Sequence, residues 1–332
     1  MRILRIYNVS DYIHAGGSVK GNSVYKPAVF SDGVKMLPDG SWGHATLPVG
    51  GISFMLNPII ERVAQAKESE DEEILVFCVD DKPIFKRELY YQVLGDEMGY
   101  KATRPPKSAS IQTQRDMIKD ILGFFSPNVF FVEGYEADDI IATLCWHYAD
   151  DFDKVYVHTL DSDLFCLVKN NIAIDKVGDR GKLITKDNWD GQVLDKNKYV
   201  IPYNRVLIHK LCYGDLSDNI PGVGANFYDK IGHDKDPYLT NISYARRAVA
   251  KASDNNPKVL GIFDLITPYD IYTVDPCSIS SEPINTDLLF YIASLVGNKY
   301  MRRMSNYEHE DVKKVLDVFH YWTDVYYMRG GV

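Results

Sequence analysis

The sequence predicts an α/β protein with a twisted, mostly parallel sheet flanked by helices. Three observations carry that expectation. Short apolar runs of strand length lie at Arg2 to Val9, Ile74 to Val79, Val129 to Glu133 and Val155 to Leu160, separated by stretches of helical character. Polar and acidic residues stand at strand exits, with Asn8 ending the first, Asp80-Asp81 after the second and Asp161-Ser162-Asp163 after the fourth. That edge is where ligand sites lie in open α/β sheets. Finally, the 332 residues are 45% hydrophobic and 25% charged, ordinary for a soluble globular chain of one large or two smaller domains.

The elements follow in order. After the first strand, with Asp11 close behind it, residues 15 to 51 are rich in Gly and polar groups. Pro38-Asp39-Gly40-Ser41 there reads as a tight turn of a hairpin. Ile52, Met55, Leu56, Ile59, Ile60 and Val63 recur at helical spacing, so Ile52 to Gln65 is expected to be a helix despite Pro58. Asp81 to Asn128 is the most basic part of the front half. Lys82, Lys86, Arg87, Lys101, Arg104, Lys107, Arg115 and Lys119 alternate there with Phe85, Tyr90, Tyr91 and Tyr100. Cations beside aromatics suit a phosphate backbone with stacked bases, and they equally suit a solvated helical face. Ile172 to Val177 and Lys182 to Thr185 read as a hairpin around Gly178-Asp179-Arg180-Gly181. Asn204 to Tyr213 is expected to be a helix that stops at Gly214, before the Gly-containing turn Gly222-Val223-Gly224. Backbone N–H groups of such a turn can approach a phosphate. The remainder is helical, with a basic helix around Arg246, Arg247 and Lys251 and an aromatic tail, Phe319 to Tyr327, read as core packing.

The chemistry concentrates between Gly134 and Asp163. Glu136, Asp138 and Asp139 stand at the start of a helix running to about Tyr148, where exposed N–H groups and the helix dipole tolerate negative charge. Asp138 alone reads as a helix-start residue. Five acids with Asp161 and Asp163, and two more at Asp215 and Asp218, need a counter-charge, because like charges raise one another's pKa values. All-oxygen donors select hard divalent ions such as Mg²⁺ or Mn²⁺. The net charge of −9 argues against tight unspecific nucleic-acid binding but is compatible with a metal-dependent one. Cys78, Cys145, Cys166, Cys212 and Cys277 lack metal-type spacing and read as reduced core residues of a cytosolic protein. No apolar run reaches membrane-span length and Met1-Arg2-Ile3-Leu4 has no signal-peptide pattern.

Together the motifs resemble the 5′-nuclease (flap endonuclease-like, PIN-related) superfamily, most of all its bacteriophage members and the 5′-nuclease domain of bacterial DNA polymerase. Val76 to Asp80 is similar to the family's strand-ending acid, and Tyr100-Lys101-Ala102-Thr103-Arg104-Pro105-Pro106 to its Tyr-Lys-x-x-Arg-Pro-Pro arch segment. Gly134 to Asp139 resembles Gly-x-Glu-Ala-Asp-Asp, Thr159 to Leu164 resembles Thr-x-Asp-x-Asp-Leu, and Gly214 to Val223 resembles Gly-Asp-x-Ser-Asp-Asn-Ile-Pro-Gly-Val.

The resemblance implies a metal-dependent nuclease core over 1–200 with a basic helical arch at about 82–125. It also implies a helical DNA-binding part over 201–332 with a helix–three-turn–helix-like motif. It implies two Mg²⁺ ions, with Mn²⁺ as a substitute. Asp80, Glu136, Asp138 and Asp139 would hold the first, and Asp161, Asp163, Asp215 and Asp218 the second. Lys101 and Arg104 would act on the scissile phosphate. Lys86, Arg87, Tyr100, Lys101, Arg104 and Gly222, Val223 and Gly224 would contact nucleic acid, with a K⁺ ion at the Gly222-Gly224 turn. The implied partners are branched or 5′-ended duplex DNA, RNA/DNA hybrid and replication proteins, met by a monomer in the cytoplasm of a cell or of a bacterial host. Two positions depart from the family pattern: Asn8 stands at the metal site where the family's first strand ends in Asp, its amide carbonyl able to bind the cation or its water with one charge fewer, and Gly-Val-x-Gly-x-Gly is shortened to Gly222-Val223-Gly224-Ala225-Asn226. The alternative reading is a catalytically weakened or inactive nucleic-acid-structure binding protein of the same fold. A phosphatase using the same acids would leave the basic segment from Lys82 to Lys119 unexplained.

Overall fold

A computed structural model describes residues 1–17, 28–37, 40–66, 69–95, 99–177, 183–189, 193, 201–231, 241–275, 277–297 and 311–331. In chain order its elements begin β1 (Arg2–Asn8), α1 (Val9–Gly17), β2 (Val29–Met36), β3 (Trp42–Pro48), α2 (Gly50–Ala66) and β4 (Glu72–Val79). Then come α3 (Ile84–Leu94), α4 (Ala109–Gly123), β5 (Val129–Phe131), α5 (Ala137–Tyr148), β6 (Lys154–Thr159), β7 (Ile172–Lys176) and β8 (Leu183–Ile184). The last are α6 (Val206–Tyr213), α7 (Ile242–Ala252), α8 (Pro257–Ile266), α9 (Thr286–Leu295) and α10 (Val312–Met328). They pack as two units, one of Met1–Val79, Pro106–Phe131 and Ser278–Val332, the other of Asp80–Pro105 and Val132–Cys277.

In the first unit β1 runs parallel to β4, from Arg2 opposite Glu72 to Asn8 opposite Cys78, and β4 runs parallel to the short β5. Every β1 residue after Arg2 is buried, as a parallel strand covered on both faces requires. Even Arg5 is inside, held by two bonds of 2.8 and 2.9 Å to Glu73. α2 continues through Pro58, as expected. β2 and β3 form the expected antiparallel hairpin, although Pro38 and Asp39 of its turn lie outside the described residues. The hairpin packs on α10, with the Phe30 and Phe319 rings 4.9 Å apart and the Thr46 N–H donating to the Tyr327 hydroxyl. The aromatic tail is therefore core packing at Phe319 and Tyr326, while Tyr321 faces solvent.

Over about 82–125, where a basic helical arch is expected, the chain forms α3 and α4. The second of these, α4, buries Met117, Ile118, Ile121 and Leu122 in the first unit, and Gln114 Oε1 accepts the Gly51 N–H at 2.8 Å. The reason is its apolar stripe at helical spacing, which the basic residues on the other face obscured in the sequence.

In the second unit β6 runs parallel to β7 and β7 antiparallel to β8. The hairpin is thus as expected, and its turn, Gly178 to Gly181, lies outside the described residues. The chain is α/β, with parallel pairing of β1, β4 and β5 in the first unit and of β6 and β7 in the second. After α6 and its Gly-containing turn the chain makes a short 3-10 helix, Ala225–Lys230; residues 232–240 lie outside the described residues. The basic helix around Arg246 is α7, its Arg246 paired with Asp264 at 2.7 Å. All five cysteines are buried free thiols. Among the described residues no helix is long and apolar enough to cross a membrane.

Candidate metal centre

The candidate site lies within the second unit and is built from four short segments. The first is the exit of β4. Asp80 Oδ1 accepts the Ala137 N–H at 2.8 Å, and Asp81 Oδ2 accepts the Gly134 N–H at 2.8 Å. Two acids after a strand thus fasten the turn that enters α5. Gly134 sits there at φ +85°, and a Cβ would come within 2.7 Å of the Phe85 ring, so only glycine fits.

The second segment is the start of α5. Its N-cap is Glu136, not Asp138: the Glu136 main-chain carbonyl accepts the Asp139 N–H at 3.1 Å, and Asp139 Oδ2 accepts the Glu136 N–H at 3.2 Å. Cap acids are usually solvated, but here Glu136 and Asp139 are buried. Asp139 Oδ1 also accepts the Tyr269 N–H at 2.8 Å. The counter-charge is Lys86 of α3, whose Nζ stands 3.3 Å from Asp139 and 3.7 Å from Glu136. Burial opposes the Lys86 charge, yet Asp139, Glu136 and Asp138 outweigh it and hold its pKa above the ordinary value. Burial pushes the Glu136 carboxyl up as well, but Lys86 and Lys101 bring it below its usual range. Asp138 is pushed well up by burial, then by the charges of Asp161, Glu136 and Asp80. Acids from the β4 exit, the start of α5 and the β6 exit therefore meet.

The third segment is the loop after α3. Lys101 adopts φ +60°, a left-handed conformation uncommon for a side-chain-bearing residue. The bend brings its N–H to the Asp218 carbonyl at 3.1 Å and its ammonium onto Glu136, with Asp218 at 3.6 Å. The Tyr100 hydroxyl lies 2.8 Å from both Glu136 Oε2 and Asp218 Oδ2 and donates its one proton to either. Burial and those two carboxylates raise its pKa well above the ordinary value, so it remains a donor. Arg104 donates to Asp218 Oδ1 at 2.5 Å and to the Ser217 carbonyl at 3.0 Å, with 47% of its side chain exposed.

The fourth segment joins the β6 exit to the turn after α6. Asp161 Oδ1 accepts the Asp163 N–H at 2.9 Å. Lys210 of α6 contacts Asp163 and stands 2.7 Å from Asp215 Oδ2. Asp215 Oδ1 accepts the Ser217 N–H, the Ser217 hydroxyl and the Asp218 N–H at 2.8, 2.7 and 3.2 Å. Burial pushes the Asp215 carboxyl up, but Lys210, Ser217 and the Asp218 N–H overcome it and bring it down to about 2. Burial lifts Asp163 to about 7 in spite of the same lysine, with Asp161 and Asp215 adding to the rise. One carboxylate oxygen from each of Asp163, Asp215 and Asp218 lies within 4.8 Å of the others, a donor set suited to a hard divalent cation.

The structure thus gathers Asp80, Glu136, Asp138, Asp139, Asp161, Asp163, Asp215 and Asp218 with Lys101, Arg104 and Tyr100. Asn8, buried at the end of β1, belongs to the first unit. Two expected nucleic-acid contacts are otherwise engaged. Lys86 is an inward-facing ion-pair partner because Glu136 and Asp139 need its charge, while Arg87 beside it is exposed. The N–H groups of Val223 and Gly224 donate to the Leu211 and Cys212 carbonyls at 3.0 Å. They close the end of α6, so these two N–H groups are not open to a phosphate. Lys210 and Ser217 escaped the sequence reading; a lone lysine in the otherwise apolar run before Gly214 was the available signal for the first.

Residues 41–197 match the model of the 5′-3′ exonuclease N-terminal resolvase-like domain. DNA polymerase I of Caldicellulosiruptor bescii is 28% identical over 203 residues, 61% of this chain and 22% of that protein, so the chain spans about a fifth of that relative. A 5′-3′ exonuclease of Aquifex aeolicus is 29% identical over 188 residues, 55% of this chain and 56% of that protein. Among solved structures, T5 5′-exonuclease with bound zinc aligns over 89% of this chain and 98% of its own, at 17% identity and a TM-score of 0.49.

Proposed function

Because the chain belongs to the PIN-like 5′-nuclease superfamily, we propose that it is a divalent-metal-dependent 5′→3′ nuclease. It would hydrolyse phosphodiesters at 5′ ends, flaps or RNA primers of duplex nucleic acid, in replication or repair. The observation that carries this is the convergence of acids from three element edges with Lys101 and Arg104 on one loop. Acids alone would bind an ion; acids beside cations on an exposed loop suit an anionic substrate as well.

Asp163, Asp215 and Asp218 fit a divalent ion directly, with Asp161 beside them. Asp138 and Glu136 are the candidate donors of the other position. Asp80 and Asp139 spend oxygens on backbone N–H groups and orient their neighbours. Two bound ions, Mg²⁺ or in its place Mn²⁺, would supply Lewis acidity to the attacking water and the leaving oxygen. Arg104, half exposed with a planar fork of donors, is suited to clamp two phosphate oxygens. Lys101 adds a point charge held in place by its backbone bond to Asp218. Tyr100, fixed as a donor, keeps Glu136 and Asp218 oriented. Arg87 and Tyr91 offer an exposed cation and an exposed ring on α3 for the strand beyond the scissile phosphate. The division into a nuclease core over 1–200 and a DNA-binding part over 201–332 belongs to the same proposal, as do action as a monomer and contact with replication proteins.

The test is cleavage of labelled 5′-flap DNA and of a 5′-RNA/DNA hybrid in Mg²⁺ and in EDTA, with Asn8 and with Asn8→Asp. Cutting from the 5′ side in Mg²⁺ alone is expected. If neither form cuts yet both bind the flap, the protein is a structure-specific binder and the nuclease proposal fails.

A further inference from the structure

Lys210 occupies the position that a cation in the Asp163, Asp215 and Asp218 group would claim. Its ammonium touches Asp163 and lies 2.7 Å from Asp215 Oδ2. Asp215 has no second oxygen to spare, since Oδ1 already accepts from the Ser217 N–H, the Ser217 hydroxyl and the Asp218 N–H. A divalent ion that takes Asp215 as a ligand must therefore use the oxygen that Lys210 holds. Lys210 makes its other contact at Asp163 Oδ2.

We propose that Lys210 is an intramolecular competitor of the metal at this triad: it neutralises Asp163 and Asp215 in the metal-free protein, and metal entry displaces it. The inference rests on the metal-dependent reading above. Lys210 also has somewhere to go. It lines a cavity of about 400 Å³ together with Asp161, Asp163, His209, Tyr213 and Asp215. Its four-carbon stem is flexible and its ammonium keeps no directional bond that a phosphate oxygen could not replace. Lys86 shows the contrary arrangement, being sealed between Glu136 and Asp139 with 7% of its side chain exposed. Displacement of a cation on metal entry couples the two events. Metal binding is weakened by the energy of the lysine contacts, and each loaded molecule gains an ammonium free to meet an anion in the cavity.

The experiment is Mn²⁺ binding to the whole chain by calorimetry, without substrate, for the unaltered protein, Lys210→Met and Lys210→Gln. The variants should bind Mn²⁺ about tenfold more tightly, the size of an ordinary coupling between two ligands of one site. Their melting temperature should be lower than that of the unaltered protein in EDTA and equal to it in saturating Mn²⁺. Should the variants not fold, the side-chain ammonium resonance of Lys210 in the unaltered protein can be followed by NMR as Mg²⁺ is added, and it should move with metal occupancy. Unchanged or weaker Mn²⁺ binding in the variants, or a Lys210 resonance indifferent to saturating Mg²⁺, overturns the proposal while leaving the nuclease reading in place. Absence of Mn²⁺ binding in every form overturns both.

Discussion

The two lysines inside the acid groups serve opposite ends. Lys86 stands between Glu136 and Asp139 with 7% of its side chain exposed, and its partners are fixed by a reciprocal cap and the Tyr269 N–H. Lys210 stands between Asp163 and Asp215 at the wall of an open cavity. The comparison teaches that the same pairing of acid and lysine is architecture where the cation is sealed and a place-holder where it can leave. Burying charges costs several kcal/mol unless each is paired, so a sealed pair is tolerable only if nothing ever removes one member.

The largest effect should follow from breaking the sealed group. Lys86→Met leaves Glu136 and Asp139 buried without their cation, and should cost about 3–5 kcal/mol in urea unfolding. Lys210→Met should cost clearly less in the same assay, because its partners reach the cavity; equal losses would erase the distinction. Next, Asp215→Asn should leave the fold intact by circular dichroism while lowering flap cleavage by about a hundredfold or more, as loss of one electrostatic element of an active site does. The corresponding change on the sealed side, Asp139→Asn, should lower stability as well as cleavage. Gly134→Ala should then cost about 1–3 kcal/mol, because φ +85° and the Phe85 ring both oppose a Cβ. The smallest effect is a melting temperature a few degrees higher in millimolar Mg²⁺ than in EDTA, as for any ligand of the native state alone. The shift should vanish in Asp163→Asn combined with Asp215→Asn.

Much of the architecture was legible because it is local. Strand-length apolar runs and acids at strand exits read directly onto β4, α5 and β6, and the acids between Gly134 and Asp163 fall at the start of α5 and the exit of β6 as their spacing suggests. What sequence could not supply was the pairing of distant charges. Lys86 looked like one cation on a basic aromatic helix, yet α3 is turned so that Lys86 is inside while Ile84 and Phe85 are 42% and 41% exposed. Phe85 finds its partner in the Tyr135 ring, stacked at 4.5 Å, and the helix rotates to suit the acids rather than its hydrophobic pattern. Lys210 was hidden for a related reason. Its helix is apolar and short, and only the return of the chain past Asp163 gives its ammonium a purpose. At the Gly222 to Gly224 turn the N–H groups of Val223 and Gly224 finish the last turn of α6, a closure that the residue string does not display.

That turn also limits how this protein can change over generations. A Cβ on Gly214 would fall 2.5 Å from the Ile220 carbonyl and 2.6 Å from the Gly222 nitrogen, and one on Gly222 would fall 2.3 Å from the Cys212 carbonyl and 2.7 Å from the Gly214 nitrogen. Each glycine is blocked by main chain, so no smaller neighbour can make room and no second-site suppressor can arise by shrinking a side chain. Every codon change that replaces either glycine adds a Cβ. The pair is a mutational dead end, and the acids Asp215 and Asp218 that it brackets drift, if at all, on a backbone that does not.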